Sequence, residues 1–206
     1  MKTTVILPIL SNDGDIVESI TSILNNDVHP SNLCIITHES IDGKKNAAID
    51  AFFKSCCSEP SSEEFTAKYK LNKTMLSDIS LYKITIKENM TNHPVCYLPD
   101  TIYDNTDIFL TITENIKYKS NFIQKYVESL SDHAIGAVYS DYILDGNYTF
   151  LQSLHIMMKE MQAIIDIGFK KLVINKKDAP FFNRDLIYKM YERSIIAHIP
   201  EALFTT

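Results

Sequence analysis

Runs of apolar residues alternate along the first two thirds of the chain with stretches in which apolar residues recur every three or four positions. Continuous apolar, β-branched runs are typical of strands buried in a parallel sheet, and the longer period is typical of amphipathic helices. The predicted strands cover residues 3–9, 33–37, 81–86, 107–113, 135–139 and 195–199. The predicted helices cover residues 16–24, 47–53, 95–103, 122–130 and 151–165, and a loop is predicted over 55–62.

The alternation of strand and helix predicts βαβ units, and hence an α/β fold with a mostly parallel sheet and helices on both faces. Ligands of such sheets bind beyond the carboxyl ends of the strands. Chemistry is therefore expected in the loops that follow Ile9, Ile36 and Thr113. The sequence contains no internal repeat and no stretch typical of a linker, so a single domain is predicted over residues 1–206.

Composition and charge narrow the possible partners. The net charge of −6 argues against general nucleic-acid binding, which needs clustered Lys and Arg, although a local cluster could hold a small anion. No apolar run approaches the roughly 18–20 residues of a membrane span, and the short apolar run near the N-terminus is interpreted as a strand rather than a signal peptide.

The cysteines predict a reducing compartment. Cys56 and Cys57 are adjacent and suit neither a usual disulfide nor a metal knuckle, while Cys34 and Cys96 lie in apolar segments. A cytoplasmic location is expected. The many Ile, Asn, Lys and Tyr residues are typical of an AT-rich genome, such as that of a phage or a low-GC bacterium, so host cytoplasm or a virion is included in this expectation.

Several common site motifs are missing from the sequence. There is no Gly-x-Gly-x-x-Gly, no Walker loop and no Gly-x-Ser-x-Gly elbow, and the six His residues are scattered. Lys170–Lys171 and Lys176–Lys177 are interpreted as a solvated face, with binding of a diphosphate or an acidic partner as the alternative.

Five segments in order resemble family 2 glycosyltransferases, which have the GT-A (Rossmann-like) fold. The chain opens VILPILSN and IVESITSIL, where the family has V-I-I-P-T-Y-N and a helix ending E-S-I-L. CIITHES stands where the family has V-V-D-D-G-S, and IFLTITEN stands where it has an Asp-x-Asp motif. IGAVYSD follows, and then NRDLIYKMYER and AHIPEALF stand where the family has a Glu-Asp helix start and H-I-P-x-x-L-Y.

The resemblance implies transfer of a sugar from a nucleoside diphosphate-sugar, with Mg²⁺ or Mn²⁺ neutralising the diphosphate and a carboxylate base acting on an unknown acceptor. It places Asp185 as the base, beside Arg184 where the family has Glu, and Glu114 with Asn115 at the metal. The nucleotide-binding positions that it implies are Pro8, Ser11, Thr37, His38, Ser40 and Asp42. Thr37 or His38 stands where the family has the Asp that binds the nucleoside.

Three functions follow from these residues. The first is an active glycosyltransferase with an unusual site. The second is a catalytically inactive GT-A-like domain that serves as a binding or assembly part with a protein partner, for example in a phage particle. The third is an α/β protein whose resemblance is fortuitous.

Overall fold

The architecture was determined from a computed structural model that describes residues 1–12, 16–41, 43–56, 61–63, 66–70, 79–87, 90, 92–144, 146–149, 166–177, 179 and 184–205. The strands are β1 Thr3–Pro8, β2 Asn32–His38, β3 Ser61–Glu63, β4 Thr66–Lys70, β5 Ser80–Ile86, β6 Ile108–Thr111, β7 Lys117–Tyr118, β8 Ile135–Leu144, β9 Asn147–Thr149, β10 Ile167–Lys170 and β11 Ile195–Thr205. The α-helices are α1 Ile16–Leu24, α2 Gly43–Cys56, α3 Asp100–Asp104, α4 Phe122–Ser131 and α5 Arg184–Arg193. Short 3₁₀ helices cover Pro94–Tyr97 and Lys171–Val173.

The strands form one mixed sheet in the order β3-β4-β5-β2-β1-β6-β10-β8-β11-β7, with β9 paired to β8. β5, β2, β1 and β6 are parallel, and so are β8 and β11. β10 lies antiparallel between β6 and β8 and joins these two blocks. Because β10 is antiparallel to both β6 and β8, β8 and β11 run in the same direction as the first block. The carboxyl ends of the two blocks therefore lie at the same edge of the sheet.

Each face of the sheet has its own apolar core. One face carries Val5, Leu33 and Leu110, which pack with the buried side chains of α1 and α4. The other face carries Ile6, Cys34, Phe109 and Phe169, which pack with the 3₁₀ helix at Pro94–Tyr97, α3 and α5. The alternation of side chains along each strand sends neighbours to opposite cores, which explains why these strands are apolar at every position.

The predicted α/β class with a mostly parallel sheet is confirmed, and all six predicted strands are present. The helix predicted over 47–53 begins earlier, at Gly43, and continues to Cys56 into the predicted loop, because small and polar residues are compatible with an exposed helix face.

The prediction of a single helix over 95–103 was wrong. The segment is a 3₁₀ turn and a separate α3, divided at Pro99, whose missing N–H and fixed φ interrupt a helix. The predicted helix over 151–165 lies outside the described residues.

In the described part of the chain, no helix is both long and apolar enough to cross a bilayer.

Gly168, on β10, lies where the sheet has no room for a side chain. A Cβ at this position would come within 2.7 Å of Leu110 Cδ2 and of Tyr126 Cδ1. We expect Gly168→Ala to lower the free energy of unfolding by about 1–3 kcal/mol, the usual range for overpacking. Gly43→Ala is the control, because nothing lies within 4 Å of its Cβ position. Urea unfolding of both variants measures this, and equal stability of the two would contradict the packing of β10.

Candidate functional site

The loops after β1 and β6 meet at the carboxyl edge of the first parallel block. Main-chain bonds continue the pairing past the strand ends, from Ile9 N to Ile36 O at 2.9 Å and from Ile112 N to Ile6 O at 2.9 Å. The two loops therefore leave the sheet side by side. This is the edge at which open α/β sheets bind their ligands.

Glu114, in the loop after β6, reaches across to the loop after β1. Its Oε1 atom accepts hydrogen bonds from the amides of Leu10 at 3.1 Å and Ser11 at 3.0 Å, and from the Ser11 hydroxyl at 3.2 Å. The side chain is 8% exposed. Two of the predicted site residues, Ser11 and Glu114, are thus in direct contact.

Lys45, in the first turn of α2, completes this cluster. Its ammonium is ion-paired with Glu114 Oε2 and donates to the Ser11 carbonyl at 2.8 Å. Its side chain is 4% exposed. Lys45 was not among the residues predicted from the sequence, because the helix was predicted to start at residue 47. The doublet Lys44–Lys45 just before the predicted helix was the available signal.

A divalent cation does not fit this arrangement at Glu114. Mg²⁺ requires about six oxygen ligands in near-octahedral geometry, and both Glu114 oxygens already have donors within the protein. The Lys45 ammonium stands where a cation would contact the carboxylate. Among the residues that the structure describes, no group of three or more His, Cys, Asp or Glu side chains could hold a metal ion.

The other predicted positions occupy varied surroundings. Pro8 ends β1 opposite Ile36. Thr37 is fully buried, with its hydroxyl 3.4 Å from that of Thr85, so its side chain offers no exposed surface. Asn115 follows Glu114 with a positive φ of 62°, a conformation that Asn tolerates better than most residues.

His38 and Ser40 form a local turn at the end of β2. His38 Nδ1 lies 2.5 Å from the Ser40 hydroxyl and accepts from the Ser40 amide at 3.0 Å, while Nε2 lies 2.9 Å from the Lys87 carbonyl. The ring is therefore fixed on both sides, and Nε2 carries the proton that it donates to Lys87. Asp42 lies outside the described residues. Asp185 is the second residue of α5, and its side chain lies outside the described part.

A second buried carboxylate, Asp166, supports the loop that carries Glu114. Its Oδ1 accepts from the Thr113 hydroxyl at 3.0 Å, and its Oδ2 lies 3.0 Å from the Tyr118 hydroxyl. Burial raises the pKa of Asp166 to about 7, although these hydrogen bonds oppose the shift. Burial also raises the pKa of Tyr118 well above its usual value, with the nearby Asp166 adding to it. Asp166 was not predicted as a site residue, because it lies directly after a segment predicted to be helical.

Comparison with solved structures identifies the fold. The chain superimposes on S. aureus TarS 1-349 in complex with UDP-GlcNAc, with a TM-score of 0.67 and 12% identity, over 100% of this chain and 58% of that one. It superimposes on the mannosyltransferase PcManGT from Pyrobaculum calidifontis, in complex with GDP-Man and Mn2+, with a TM-score of 0.61 and 10% identity, over 100% and 56% of the two chains. The chain thus spans under two thirds of the length of these proteins. The fold is that of the GT-A glycosyltransferases. The sequence itself matches no family model and no curated protein.

Proposed function

We propose that this chain transfers a sugar from a nucleoside diphosphate-sugar to a hydroxyl group of an acceptor. The observation that carries the proposal is the cluster of Ser11, Lys45 and Glu114, which joins three chain segments at the carboxyl edge of the sheet. UDP-GlcNAc and GDP-Man are the ligands of the two similar structures. The donor would lie against the loops after β1, β2 and β6.

Lys45 supplies a positive charge for the donor diphosphate in this proposal. A leaving diphosphate develops negative charge, and a fixed cation beside it stabilises the transition state. Glu114 and the Ser11 carbonyl hold the Lys45 ammonium at this position. Asp185, at the start of α5, is proposed to take the proton of the acceptor hydroxyl, as the resemblance implies.

Donor binding tests the proposal. In calorimetry with a panel of UDP- and GDP-sugars, we expect one donor to bind. Its Kd in the presence of EDTA should be within about threefold of its Kd in the presence of Mn²⁺. The double variant Lys45→Met with Glu114→Gln removes the ammonium and its counter-charge together, so neither is left unpaired. It should bind that donor about 10- to 100-fold more weakly, the usual effect of losing a charged hydrogen bond. Lys44→Met, at the exposed neighbouring position, is the matched control.

Asp185→Asn distinguishes binding from chemistry. It should leave donor affinity unchanged and reduce donor hydrolysis at least a hundredfold, because the base acts only on the attacking hydroxyl. Hydrolysis equal to that of the wild type would exclude Asp185 as the base.

Both oxygens of the Glu114 carboxylate have hydrogen-bond donors from the protein. This favours a second candidate function, a GT-A-like domain that has lost catalysis and serves as a part of a protein assembly. The Glu114 carboxylate accepts from Leu10 and Ser11 and pairs with Lys45, as in a purely structural ion pair. A thermal scan in which no nucleotide-sugar raises the unfolding temperature would favour this candidate, since any ligand of the native state stabilises it.

A further inference from the structure

A histidine–aspartate pair joins β8 and β11 at a distance from the Glu114 cluster. His198 Nε2 lies 2.8 Å from Asp141 Oδ1. Asp141 is fully buried, whereas the His198 side chain is 28% exposed. The ring of Tyr139 stacks on that of His198, with centroids 4.8 Å apart and planes 14° from parallel. The position and the rotation of the imidazole are therefore both fixed.

The pair also fixes the tautomer of His198. A buried carboxylate needs donors, so Nε2 carries the proton that bonds to Asp141. In the neutral ring, this leaves the lone pair of Nδ1 as an acceptor. Within the described residues, Nδ1 has no hydrogen-bond partner, and the His198 side chain is partly exposed.

The fold places this imidazole beside the start of α5. Side chains alternate along β11, so His198 shares a face with Ile196, which packs in the same core as Leu186, Ile187 and Met190 of α5. Only Ser194 separates α5 from β11, so the helix runs back along the strand. Ten helical residues rise about 15 Å, and three strand residues span about 10 Å. The first turn of α5, which carries Asp185, therefore lies roughly level with His198.

The sheet also sets the distance to the proposed donor site. Thr111 on β6 pairs with Ile167 on β10, and β8 and β11 follow as the next two strands, with His198 opposite Tyr139. Three strand spacings amount to about 14 Å. This is the span that the donor sugar and its phosphates would bridge between the loop after β6 and His198.

We infer that His198, oriented by Asp141, binds the attacking hydroxyl of the acceptor and aims it at the anomeric carbon. This rests on the proposed function and adds the acceptor side to it. The hydroxyl donates to Nδ1 when the acceptor binds, and it turns this proton to the Asp185 carboxylate before it attacks. As the oxygen forms its bond to the anomeric carbon, the bond from that carbon to the diphosphate breaks, and its electron pair leaves with the nucleoside diphosphate. The hydroxyl proton passes to the Asp185 carboxylate and then to solvent.

Two substitutions at one position separate this role from a structural one. Asn at position 198 places an amide oxygen near the location of Nδ1 but cannot reach Asp141. Gln at position 198 extends an amide N–H to Asp141 but has no acceptor at the location of Nδ1. Substrate positioning therefore predicts that Asn is the better replacement, and a purely structural pair predicts that Gln is. His133→Gln is the control, because His133 is exposed in the loop between α4 and β8.

The experiment measures hydrolysis of the donor that binds the wild type, with water as the attacking hydroxyl, and donor affinity by calorimetry. We expect His198→Gln to lower kcat at least tenfold with unchanged donor Kd, and His198→Asn to lower kcat less than Gln does, because Asn keeps an acceptor near Nδ1 but loses the bond to Asp141. Normal hydrolysis by His198→Gln, or lower hydrolysis by Asn than by Gln, would overturn the inference and leave the transferase in place. Absence of donor binding by the wild type would overturn the proposed function and this inference together.

Discussion

Glu114→Gln is expected to lower the free energy of unfolding by about 3–5 kcal/mol, because it leaves the Lys45 ammonium buried without a counter-charge. The amide of Gln can still accept hydrogen bonds from Leu10 and Ser11, so most of the loss arises from the unpaired charge. Lys45→Met should cost a similar amount, since it leaves the Glu114 carboxylate buried beside an apolar side chain.

The double variant decides between this account and a simple packing effect. If the charges depend on each other, Lys45→Met with Glu114→Gln should be within about 2 kcal/mol of the wild type, and the coupling energy should exceed 2 kcal/mol. Urea unfolding at pH 7 measures all four proteins. The control is Asp50→Asn, which breaks an ion pair to Lys83 in which Asp50 is 44% exposed, and which should cost below about 1 kcal/mol. Additive losses in the Lys45–Glu114 cycle would show that the two charges are not coupled.

Asp166→Asn is expected to change how stability depends on pH. Burial raises the pKa of the native Asp166 carboxyl from 3.8 to about 7, so the native state binds a proton that the unfolded state releases. The stability that this group contributes is fully present below pH 3.8 and is lost as the pH rises through about 7. A shift of this size corresponds to a loss on the order of 4 kcal/mol. Asn cannot ionise, so the free energy of unfolding of the variant should rise relative to that of the wild type as the pH increases across this range.

Unfolding by urea at intervals from pH 4 to 8 measures the difference between the two proteins. Burial lowers the pKa of His93 to about 3, which opposes Asp166 by removing stability as the pH falls below 6.5. The comparison must therefore be made between variant and wild type, in which the His93 contribution cancels. Glu192→Gln, at an exposed position, is the control and should show no such trend. A difference between Asp166→Asn and wild type that stays constant with pH would contradict the raised pKa.

Most of the sheet could be predicted because its central strands are apolar at successive positions. β1 and β2 are buried from both sides, and this pattern is visible without tertiary information. β10 could not be predicted in the same way. It has four residues, one of them Gly168, and it exists as a strand because β6 and β8 supply partners on both sides. β7 has two residues and likewise depends on its pairing with β11.

The candidate site was predicted in position but not in its contacts. Ser11 and Glu114 were both predicted in strand-end loops, and the structure brings these two residues into contact at one edge of the sheet. The partner of Glu114 could not be predicted, since Lys45 is 69 residues away in sequence and a lysine pair at a helix start is usually solvated. His198 and Asp141 are 57 residues apart, and only the parallel pairing of β8 with β11 brings them together. The residue types were visible, but not their adjacency.

The late arrival of β10 has a consequence for synthesis of the chain. β6 ends at Thr111 and β8 at Leu144, but the strand that joins them comes only with residues 167–170. Until that segment leaves the ribosome, the facing edges of β6 and β8 have no partner in the native sheet. Unpaired apolar strand edges are templates for pairing between chains, and distant contacts form slowly. We therefore expect nascent chains that stop before residue 167 to aggregate or to be held by chaperones, and those that extend beyond β11 to become protease-resistant.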